Sequence, residues 1–338
     1  MTNEIAKPNE VDTFSDAEVC ILVYHKNCID GATSAACLLT GLRRRFSNVV
    51  LYPSSYSKQD LNGLYNLAST YAEEGHFSIV VVDFSLTLDL MEKIYYLPYF
   101  CGGYILDHHK TAFEMYFPDY KISDERKCGL MTLIHNFNIE LYTYMSGAGI
   151  AANHPLSDHI YKNSTIVKWV EDWDLWKFSY GQATKNANAY LSDVIGVSDN
   201  FVNFMENILK DEVCGTYVLE QIQQLGHSLF KKAEEEVDII VKSANLYSVF
   251  EVLTPVVVCE SKKFVSRVGN ILADRYSANL AVCIINVDAT VIEVSLRSVG
   301  DVDVSAIAKE FGGGGHKHAA GFLLNRVVYT LEEHGSRS

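Results

Sequence analysis

The sequence predicts an α/β fold built in two parts, and three observations support this prediction. Short runs of β-branched residues alternate with helix-like segments in the first half of the chain, which favours a mainly parallel sheet with right-handed crossovers. The chain has 338 residues, which is more than one hydrophobic core usually supports. From residue 246 the pattern changes to closely spaced β runs, which indicates a second, smaller α/β domain.

The elements of the first half follow from the spacing of apolar residues. Continuous apolar runs are typical of buried parallel strands, and they occur at 19–23, 49–52, 79–82 and 104–106. Apolar residues at helical spacing predict helices between them, at 32–42, 60–71 and 86–95. One more helix is predicted at 128–137, and residues 164–170 form an apolar segment that leads into an acidic cluster.

The second half contains a helical stretch and then the β-rich segment. Strands are predicted at 246–253, 256–258, 280–287 and 291–296, and helices at 267–275 and 304–311. The expected organisation is an N-terminal tail, a first domain, a helical linker and a second domain, at 1–17, 18–185, 186–245 and 246–330.

Composition excludes several classes of protein. The net charge is −14, and residues 246–338 carry only −1 of it, so a basic surface for duplex DNA is not expected. No apolar run reaches the roughly 18 residues of a membrane span, and the polar start shows no signal-peptide pattern. The eight cysteines form no C-x-x-C pair, which favours free thiols in a reducing, cytoplasmic compartment.

Polar residues follow the apolar elements at four places. The segment 25–31 follows the first strand, Asp83 the third, and Asp107-His108-His109 ends the fourth, while an acidic cluster at 171–174 ends the segment 164–170. Because an open α/β sheet binds its ligands at the carboxyl ends of its strands, we expect these groups to meet. Imidazoles and carboxylates at such an edge indicate a site for divalent metal ions.

The four stretches also resemble a known family. The patterns H-x-x-x-x-D-G, V-V-D-F-S, D-H-H and E-D-W-D-L-W, in this order, resemble the DHH phosphoesterases, which include RecJ-like and oligoribonuclease-like proteins. The run F-G-G-G-G-H-K-H-A-A-G-F at 311–322 resembles the DHH-associated C-terminal domain. The resemblance covers roughly residues 18–325. It implies that 18–185 is a catalytic, metal-binding domain and that 246–330 binds the substrate.

The resemblance implies a pair of Mn²⁺ ions, with Mg²⁺ as a possible substitute. Asp83 would bridge the two ions, His25 would bind one of them, and Asp30, His108 and Asp172 would bind the other. Two cations about 3.5–4 Å apart can hold a phosphate and activate a water molecule between them.

Two ligand assignments stay open in the sequence. Asp174 is the alternative to Asp172, which we prefer because it follows the apolar segment sooner. Many family members carry another Asp where this chain has Cys28, so either one ion has fewer carboxylate ligands or Asn27 or Cys28 contributes.

The remaining site residues are also implied by the resemblance. His109 would face the phosphate, and Asp107 would orient an imidazole from behind the ligands; these two are the catalytic candidates. Arg297 resembles the substrate-binding arginine of the family, and a guanidinium suits phosphate. Glycine N–H groups can approach a ligand closely, so the other substrate-binding candidates are Gly312, Gly313, Gly314, Gly315 and His316.

The expected function is hydrolysis of phosphodiester bonds in short oligonucleotides or linear or cyclic dinucleotides, by a hydroxide that two metal ions activate. The alternatives are a phosphomonoesterase or exopolyphosphatase, and a catalytically weak nucleotide-binding protein. The expected partner is a small phosphorylated substrate, without duplex DNA or a membrane. A homodimer is compatible with the sequence, which leaves the oligomeric state open.

Overall fold

The computed structural model describes residues 13–120, 128–195, 200–249, 252–260, 262–276, 280–287 and 290–325. The chain divides into two compact units, the first comprising residues 1–108 and 112–223 and the second residues 109–111 and 224–338. Most of the predicted N-terminal tail lies outside the described residues. Its last part forms a short 3₁₀ helix, Thr13–Asp16, whose Phe14 is buried in the core of the first unit.

A six-stranded sheet forms the centre of the first unit. Its spatial order is β2-β1-β3-β4-β6-β5, and all neighbours are parallel except β5 and β6. The strands are β1 (Val19–His25), β2 (Asn48–Ser54), β3 (Phe77–Val82), β4 (Phe100–Asp107), β5 (Gly129–Ile134) and β6 (Phe137–Tyr142). The predicted α/β class with a mainly parallel first sheet is confirmed.

Helices cover both faces of this sheet, which explains why its strands are almost continuously apolar. One face packs against α1, α5, α6, α7 and α8, and the other against α2, α3 and α4. The helices are α1 (Ile29–Arg45), α2 (Lys58–Glu74), α3 (Leu88–Tyr95), α4 (Lys110–Tyr116), α5 (Gly147–Asn153), α6 (Thr165–Asp174), α7 (Gln182–Ile195), α8 (Phe201–Val213) and α9 (Val218–Lys242).

The helix predicted at 128–137 is wrong, because these residues form the first strand and the turn of a β-hairpin. Strand β5 runs antiparallel to β6, and Ile134 pairs with Phe137. His135 and Asn136 between them both have positive φ, 47° and 61°. Two positive φ angles are the signature of a type I′ turn, which is the favoured connection of tight hairpins.

The helical stretch predicted as a linker is largely part of the first unit. Buried side chains of α7 and α8, including Leu191, Met205 and Leu209, belong to the same core cluster as α1. Glu206 on α8 also accepts hydrogen bonds from Arg43 on α1. The two helices therefore have apolar faces of their own to bury, and the division between the units falls inside α9, at residue 223.

The second unit has a second six-stranded sheet, in the order β11-β12-β10-β9-β8-β7. Of its neighbouring pairs only β8 and β9 are parallel. Helices α10 (Val265–Arg275) and α11 (Val304–Glu310) contribute to two separate core clusters of the unit. The strands are β7 (Asn245–Val249), β8 (Val252–Cys259), β9 (Ala281–Asn286), β10 (Val291–Arg297), β11 (Gly314–His316) and β12 (Ala319–Asn325).

The predicted strands and helices of this unit are present, with one division and one addition. The run predicted at 246–253 belongs to two strands, β7 and the start of β8. Part of the glycine-rich run is itself a strand, β11, and β12 follows it; neither was predicted, because glycine gives no strand signal in a sequence. Within the described residues, no helix combines the length and apolar character that a membrane crossing requires.

Candidate active site

Three neighbouring parallel strands of the first unit end in site residues. Strand β1 ends at His25, β3 is followed directly by Asp83, and β4 ends at Asp107, which precedes His108. Strand β3 lies between β1 and β4 in the sheet. Parallel pairing places the carboxyl ends of all three strands at one edge, so the expectation that these groups meet there follows from the topology.

Asp83 lies between two imidazoles. Its Oδ1 is 3.1 Å from Nε2 of His108, and its Oδ2 is 3.6 Å from Nδ1 of His25. The side chain is 1% exposed, and the residue has a φ of +52°. A non-glycine residue with such a backbone angle is strained, and strain of this kind is concentrated at functional sites. The two oxygens of one buried carboxylate thus face two different groups of side chains.

Asp30 is held by the start of helix α5. Its Oδ1 accepts hydrogen bonds from Oγ of Ser146 at 2.7 Å and from N of Ala148 at 3.0 Å, and its Oδ2 accepts one from N of Gly147 at 2.6 Å. The N–H groups at a helix N-terminus have no partner within the helix and favour a negative charge. This anchoring leaves Oδ2 of Asp30 3.9 Å from Nε2 of His108.

Two glycines make the close packing around these carboxylates possible. A Cβ at Gly31 would lie 2.7 Å from the backbone oxygen of His25, so only glycine lets α1 start this close to the end of β1. A Cβ at Gly147 would lie 2.5 Å from Cβ of Asp83 and 2.9 Å from Oδ2 of Asp30. Real Cβ atoms do not make such contacts, so both positions require glycine on packing grounds.

Helix α6 contributes Asp174 to this cluster rather than Asp172. Oδ2 of Asp174 is 3.5 Å from Nε2 of His108. Residues two apart on a helix point in directions about 200° apart, so the two aspartates cannot face the same site. The preference for Asp172 over Asp174 as the residue near the other ligands is therefore corrected.

Asp172 has a different environment, away from the imidazoles. Its Oδ1 accepts a hydrogen bond from N of Ser179 at 2.8 Å, while its Oδ2 accepts bonds from N of Tyr180 at 3.2 Å and from Oγ1 of Thr184 at 2.5 Å. Burial opposes the charge on this carboxylate, but these hydrogen bonds hold its pKa below the usual range. Asp172 thus fixes the segment between α6 and α7.

Asp107 is buried and tied to its neighbours. Its Oδ1 accepts a hydrogen bond from N of His108 at 2.7 Å, and its Oδ2 accepts one from Oγ of Ser85 at 2.5 Å. The bond from the next residue fixes the backbone that carries the His108 imidazole. His109 follows directly in the chain and is partly exposed.

The cluster brings several carboxylates together in a buried place, and they shift the pKa values of their neighbours. Burial by itself lowers the pKa of His108, but Asp174 and Asp83 raise it to about 10. Burial and the neighbouring Asp83 and Asp174 raise the pKa of Asp30 well above its usual value. Like charges held this close disfavour ionisation of each other, and a bound cation removes that penalty.

Two sets of donors within the first unit fit divalent metal ions. One ligand atom each from Asp30, His108 and Asp174 lie within 4.8 Å of one another, and the same holds for His25, Cys28 and Asp83. Carboxylate and imidazole are common ligands of divalent cations. Divalent metal binding, as predicted, fits this donor chemistry.

Several residues of the site were not predicted from the sequence. Ser85, Ser146 and Gly147 hold the carboxylates described above, and Oε2 of Glu171 accepts a hydrogen bond from N of Ser146 at 3.2 Å. The signals for them were local: Ser85 and Glu171 stand in the patterns V-V-D-F-S and E-D-W-D-L-W, and Ser146 precedes three small residues, which is a pattern of a helix start.

In the second unit, the predicted substrate-binding arginine is buried at the end of β10. Arg297 donates to Oγ of Ser295 at 2.9 Å, to O of Leu296 at 2.8 Å and to Oγ of Ser266 at 2.8 Å. Burial lowers its pKa. No carboxylate of the described residues forms an ion pair with it. A buried guanidinium held by neutral groups retains its charge for an anion.

The glycine run lies beside Arg297 in this unit. Strand β12 separates β11 from β10, and its Ala319 pairs with His316 on one side and with Arg297 on the other. Gly312 and Gly315 have positive φ angles, 76° and 142°. A Cβ at Gly313 would lie 2.1 Å from the backbone oxygen of residue 321. The run is therefore a tight, packed turn and strand, and it places His316 and Arg297 at one end of the sheet.

Comparison with known proteins adds three findings. Residues 254–330 match the DHHA1 domain. The resemblance of this part of the chain to the DHH-associated C-terminal domain is confirmed. The DHHA1 domain begins in β8 and includes Arg297, the glycine run and His316. The match covers the part of the chain in which the sequence predicted a substrate-binding domain.

The other two findings concern similar chains. An uncharacterized protein of Acanthamoeba polyphaga mimivirus, R106, is 24% identical over 344 residues, which cover 98% of this chain and 73% of that protein. Among solved structures, an exopolyphosphatase-related protein from Bacteroides fragilis matches with a TM-score of 0.52 and 15% identity, over 95% of this chain and 90% of that one. The exonuclease RecJ bound to manganese matches with a TM-score of 0.51 and 14% identity, over 94% and 88%. These two likenesses show the fold.

Proposed function

We propose that the chain hydrolyses phosphodiester bonds in short oligonucleotides or in linear or cyclic dinucleotides, with two Mn²⁺ ions bound to the first unit. The position of Asp83 is the observation that carries the proposal, because its two buried oxygens face His108 and His25 separately. A carboxylate in this arrangement suits the bridging position of a two-metal site. The ions, when bound, would lower the pKa of water and neutralise the charge of the phosphate.

The side chains of the first unit have distinct roles in this proposal. Asp30, His108 and Asp174 would hold one ion, and His25 with Asp83 would hold part of the other. The hydrogen bonds that Asp30 accepts from the start of α5 fix its orientation before an ion arrives. Ligands that are already oriented need little rearrangement during the reaction.

Two residues of the D-H-H triplet would act without being main ligands of an ion. We propose that Asp107 orients the His108 imidazole through the backbone bond that it accepts. His109 would donate a hydrogen bond to a phosphate oxygen, which would hold the phosphorus in position for attack.

The DHHA1 domain would bind the rest of the substrate. Arg297 has the charge and planar donors to bind a second phosphate, while His316 and the glycines 312–315 lie at the same end of its sheet. Binding energy from a remote part of a substrate can be used to position the reacting bond. We propose that residues 18–185 and 246–330 carry these two roles, with α7 and α8 completing the core of the first unit. We also propose a reducing, cytoplasmic setting, which fits eight cysteines without a disulfide.

Hydrolysis of polyphosphate or a phosphomonoester is the second candidate. The described partners of Arg297 are hydroxyl and carbonyl groups, so this site recognises an anion without reading a base. A purely anionic chain would satisfy it as well as a nucleotide.

A substrate panel tests the proposal. The full chain with Mn²⁺ is offered RNAs of about two to five nucleotides, linear and cyclic dinucleotides, polyphosphate, duplex DNA and a small aryl phosphodiester, and the products are separated by chromatography. We expect the short nucleotides to have the highest kcat/KM, because they offer a phosphodiester to the metals and a further anionic group to Arg297. Folded Asp83→Asn protein is the control and should be inactive on all of them.

The outcomes separate the candidates. Equal kcat/KM on the aryl diester and the dinucleotide would contradict the role of the DHHA1 domain. Preference for polyphosphate would favour the second candidate. Binding of nucleotides without turnover, in protein that holds fewer than two ions, would mark a nucleotide-binding protein instead.

A further inference from the structure

We infer that the Cys28 thiolate is a metal ligand, so that the two halves of the centre select different kinds of ion. This inference rests on the proposed two-metal site and adds the identity of one ligand and its consequence. It also resolves the question that the sequence left open, namely what stands in for the carboxylate that Cys28 replaces.

The geometry places three different donors together. Nitrogen of His25, sulfur of Cys28 and oxygen of Asp83 lie within 4.8 Å of one another. They come from three separate points of the fold: the last residue of β1, the residue before α1 and the residue after β3. Three protein ligands with one position left open is the usual arrangement of a catalytic zinc ion.

The position of Cys28 has no evident structural role that would require a thiol. It is the N-cap residue of α1, with extended backbone angles of −116° and 131°, but its side chain makes no capping hydrogen bond. Ser, Asp or Asn would cap the helix better. By contrast, the thiols of Cys20 and Cys37 are buried in the apolar core of the first unit, a normal place for cysteine.

The two donor sets differ in chemical softness. The set of Asp30, His108 and Asp174 offers two carboxylates and one imidazole, which suit Mn²⁺ or Mg²⁺. A thiolate in the set with His25 selects for Zn²⁺ or a similar borderline ion. When the ion binds, the S–H bond of Cys28 breaks, its proton goes to the buffer and a sulfur lone pair forms the metal–sulfur bond. No electron is transferred.

Cobalt spectroscopy tests the inference without measuring activity. Co²⁺ bound by a thiolate gives an intense sulfur-to-metal absorption in the near ultraviolet, which nitrogen and oxygen ligands do not give. The full chain is titrated with Co²⁺ as wild type, Cys28→Ser, Cys28→Asp and Cys214→Ser. Cys214 is the matched control, because its thiol is exposed at the end of α8 and lies in none of the donor sets.

We expect wild type and Cys214→Ser to show the absorption and both Cys28 variants to lack it. Serine is a favoured N-cap residue, so the fold of Cys28→Ser should be retained or slightly stabilised. In dialysis against equal Zn²⁺ and Mn²⁺, wild type should hold more zinc than manganese, because manganese is the weakest binder of the divalent first-row metals. Cys28→Asp should shift the ratio of zinc to manganese by at least about tenfold toward manganese, since outer partners of a metal ligand already change affinity by that much.

Each outcome has one meaning. Two bound Co²⁺ ions without the sulfur band would overturn the inference and leave the two-metal site intact. Failure to bind any ion would overturn the proposed function itself. If a variant does not fold, alkylation of the wild-type protein decides. Zn²⁺ should protect Cys28 but not Cys214 from iodoacetamide, as mapped by mass spectrometry. Equal labelling of Cys28 with and without Zn²⁺ would contradict ligation.

Discussion

The two aspartates of α6 allow a sharp test of the site, because the same substitution should have opposite effects at each. Asp172→Asn keeps the shape of the side chain but replaces one acceptor oxygen with an NH₂ group. The native carboxylate accepts from two backbone N–H groups, at residues 179 and 180, and from the Thr184 hydroxyl. An asparagine oxygen can serve one of the two N–H groups, and the other would face a donor.

The cost follows from these contacts. Thr184 can rotate its hydroxyl to accept from the new NH₂ group, so its bond is kept in altered form. The lost bond is one between a buried N–H group and a charged acceptor, which contributes about 1.5–3 kcal/mol, and the orphaned N–H adds to that cost. We expect Asp172→Asn to lower the free energy of unfolding by about 2–3 kcal/mol. For a unit of this size that is a fall in Tm of about 4–12 °C.

The assay measures unfolding and metal content in parallel. Thermal unfolding followed by circular dichroism in EDTA reports stability, and elemental analysis after Mn²⁺ loading reports bound ions. Asp174→Asn is the matched control: its side chain is 28% exposed and faces the His108 imidazole as well as Asp30, so the lost attraction and the relieved repulsion offset each other and Tm should change little. It should lose bound metal, whereas Asp172→Asn should retain it. The reverse pattern would refute the assignment.

Three further changes test other parts of the molecule. Asp83→Ala removes the carboxylate that faces both ligand sets, so turnover in folded protein should fall by about a thousandfold or more. Elemental analysis should show a loss of bound metal, and wild-type turnover would contradict the proposed metal centre. Arg297→Ala should raise KM about 10- to 100-fold, which corresponds to the loss of one or two charged hydrogen bonds, and should leave the metal content unchanged. A loss of metal would show that the proposed division of roles between the two domains is wrong. Burial opposes the charge of Glu206, but hydrogen bonds from Lys210 and Arg43 hold its pKa below the usual value. The stability that this carboxylate provides is therefore present above about pH 4.3, the pKa of an unfolded glutamate, and is lost as the pH falls through the lower pKa of the folded protein. Glu206→Gln should therefore lower the free energy of unfolding by about 1–2 kcal/mol at pH 7, a value kept small because both cations are half-exposed. Chemical denaturation should show that the difference in stability between wild type and variant shrinks below pH 4. A constant difference down to pH 3 would count against the ion pair.

The sequence predicted the elements whose signal is local and strong. The apolar runs that became β1, β3 and β4 are buried on both faces of a parallel sheet, so they had to be continuous. The polar residues at their ends were recognisable for a related reason, because a charged group directly after such a run marks the carboxyl edge of the sheet, where ligands bind. The order of the motifs then gave the resemblance to the family.

Elements that depend on backbone angles or on distant packing were not predictable. The hairpin of β5 and β6 turns through two residues with positive φ, His135 and Asn136, and neither is a glycine that would have marked the turn. Gly147 lies 64 residues beyond Asp83, and only the folded packing reveals that a Cβ there would meet that carboxylate. The preference for Asp172 over Asp174 had another cause: the apolar pattern ends at residue 170, whereas the helix continues to residue 174. Residues three apart on a helix share a face, so Asp174 lies on the same face as Glu171, which accepts a hydrogen bond from Ser146 beside Asp30.

The hydrogen bonds of Asp30 set a limit on how it can bind an ion. An ionised carboxylate has about four lone-pair positions, and three of those on Asp30 accept bonds from Ser146, Gly147 and Ala148. The remaining position belongs to Oδ2, the oxygen that lies nearer His108. Asp30 can therefore bind one ion through a single oxygen, without chelating it. Asp174, and Asp83 in its proposed bridging role, would supply the other carboxylate oxygens for an ion in this set. The start of α5 would thus influence how an ion is held, although it lies far from the D-H-H triplet in the sequence.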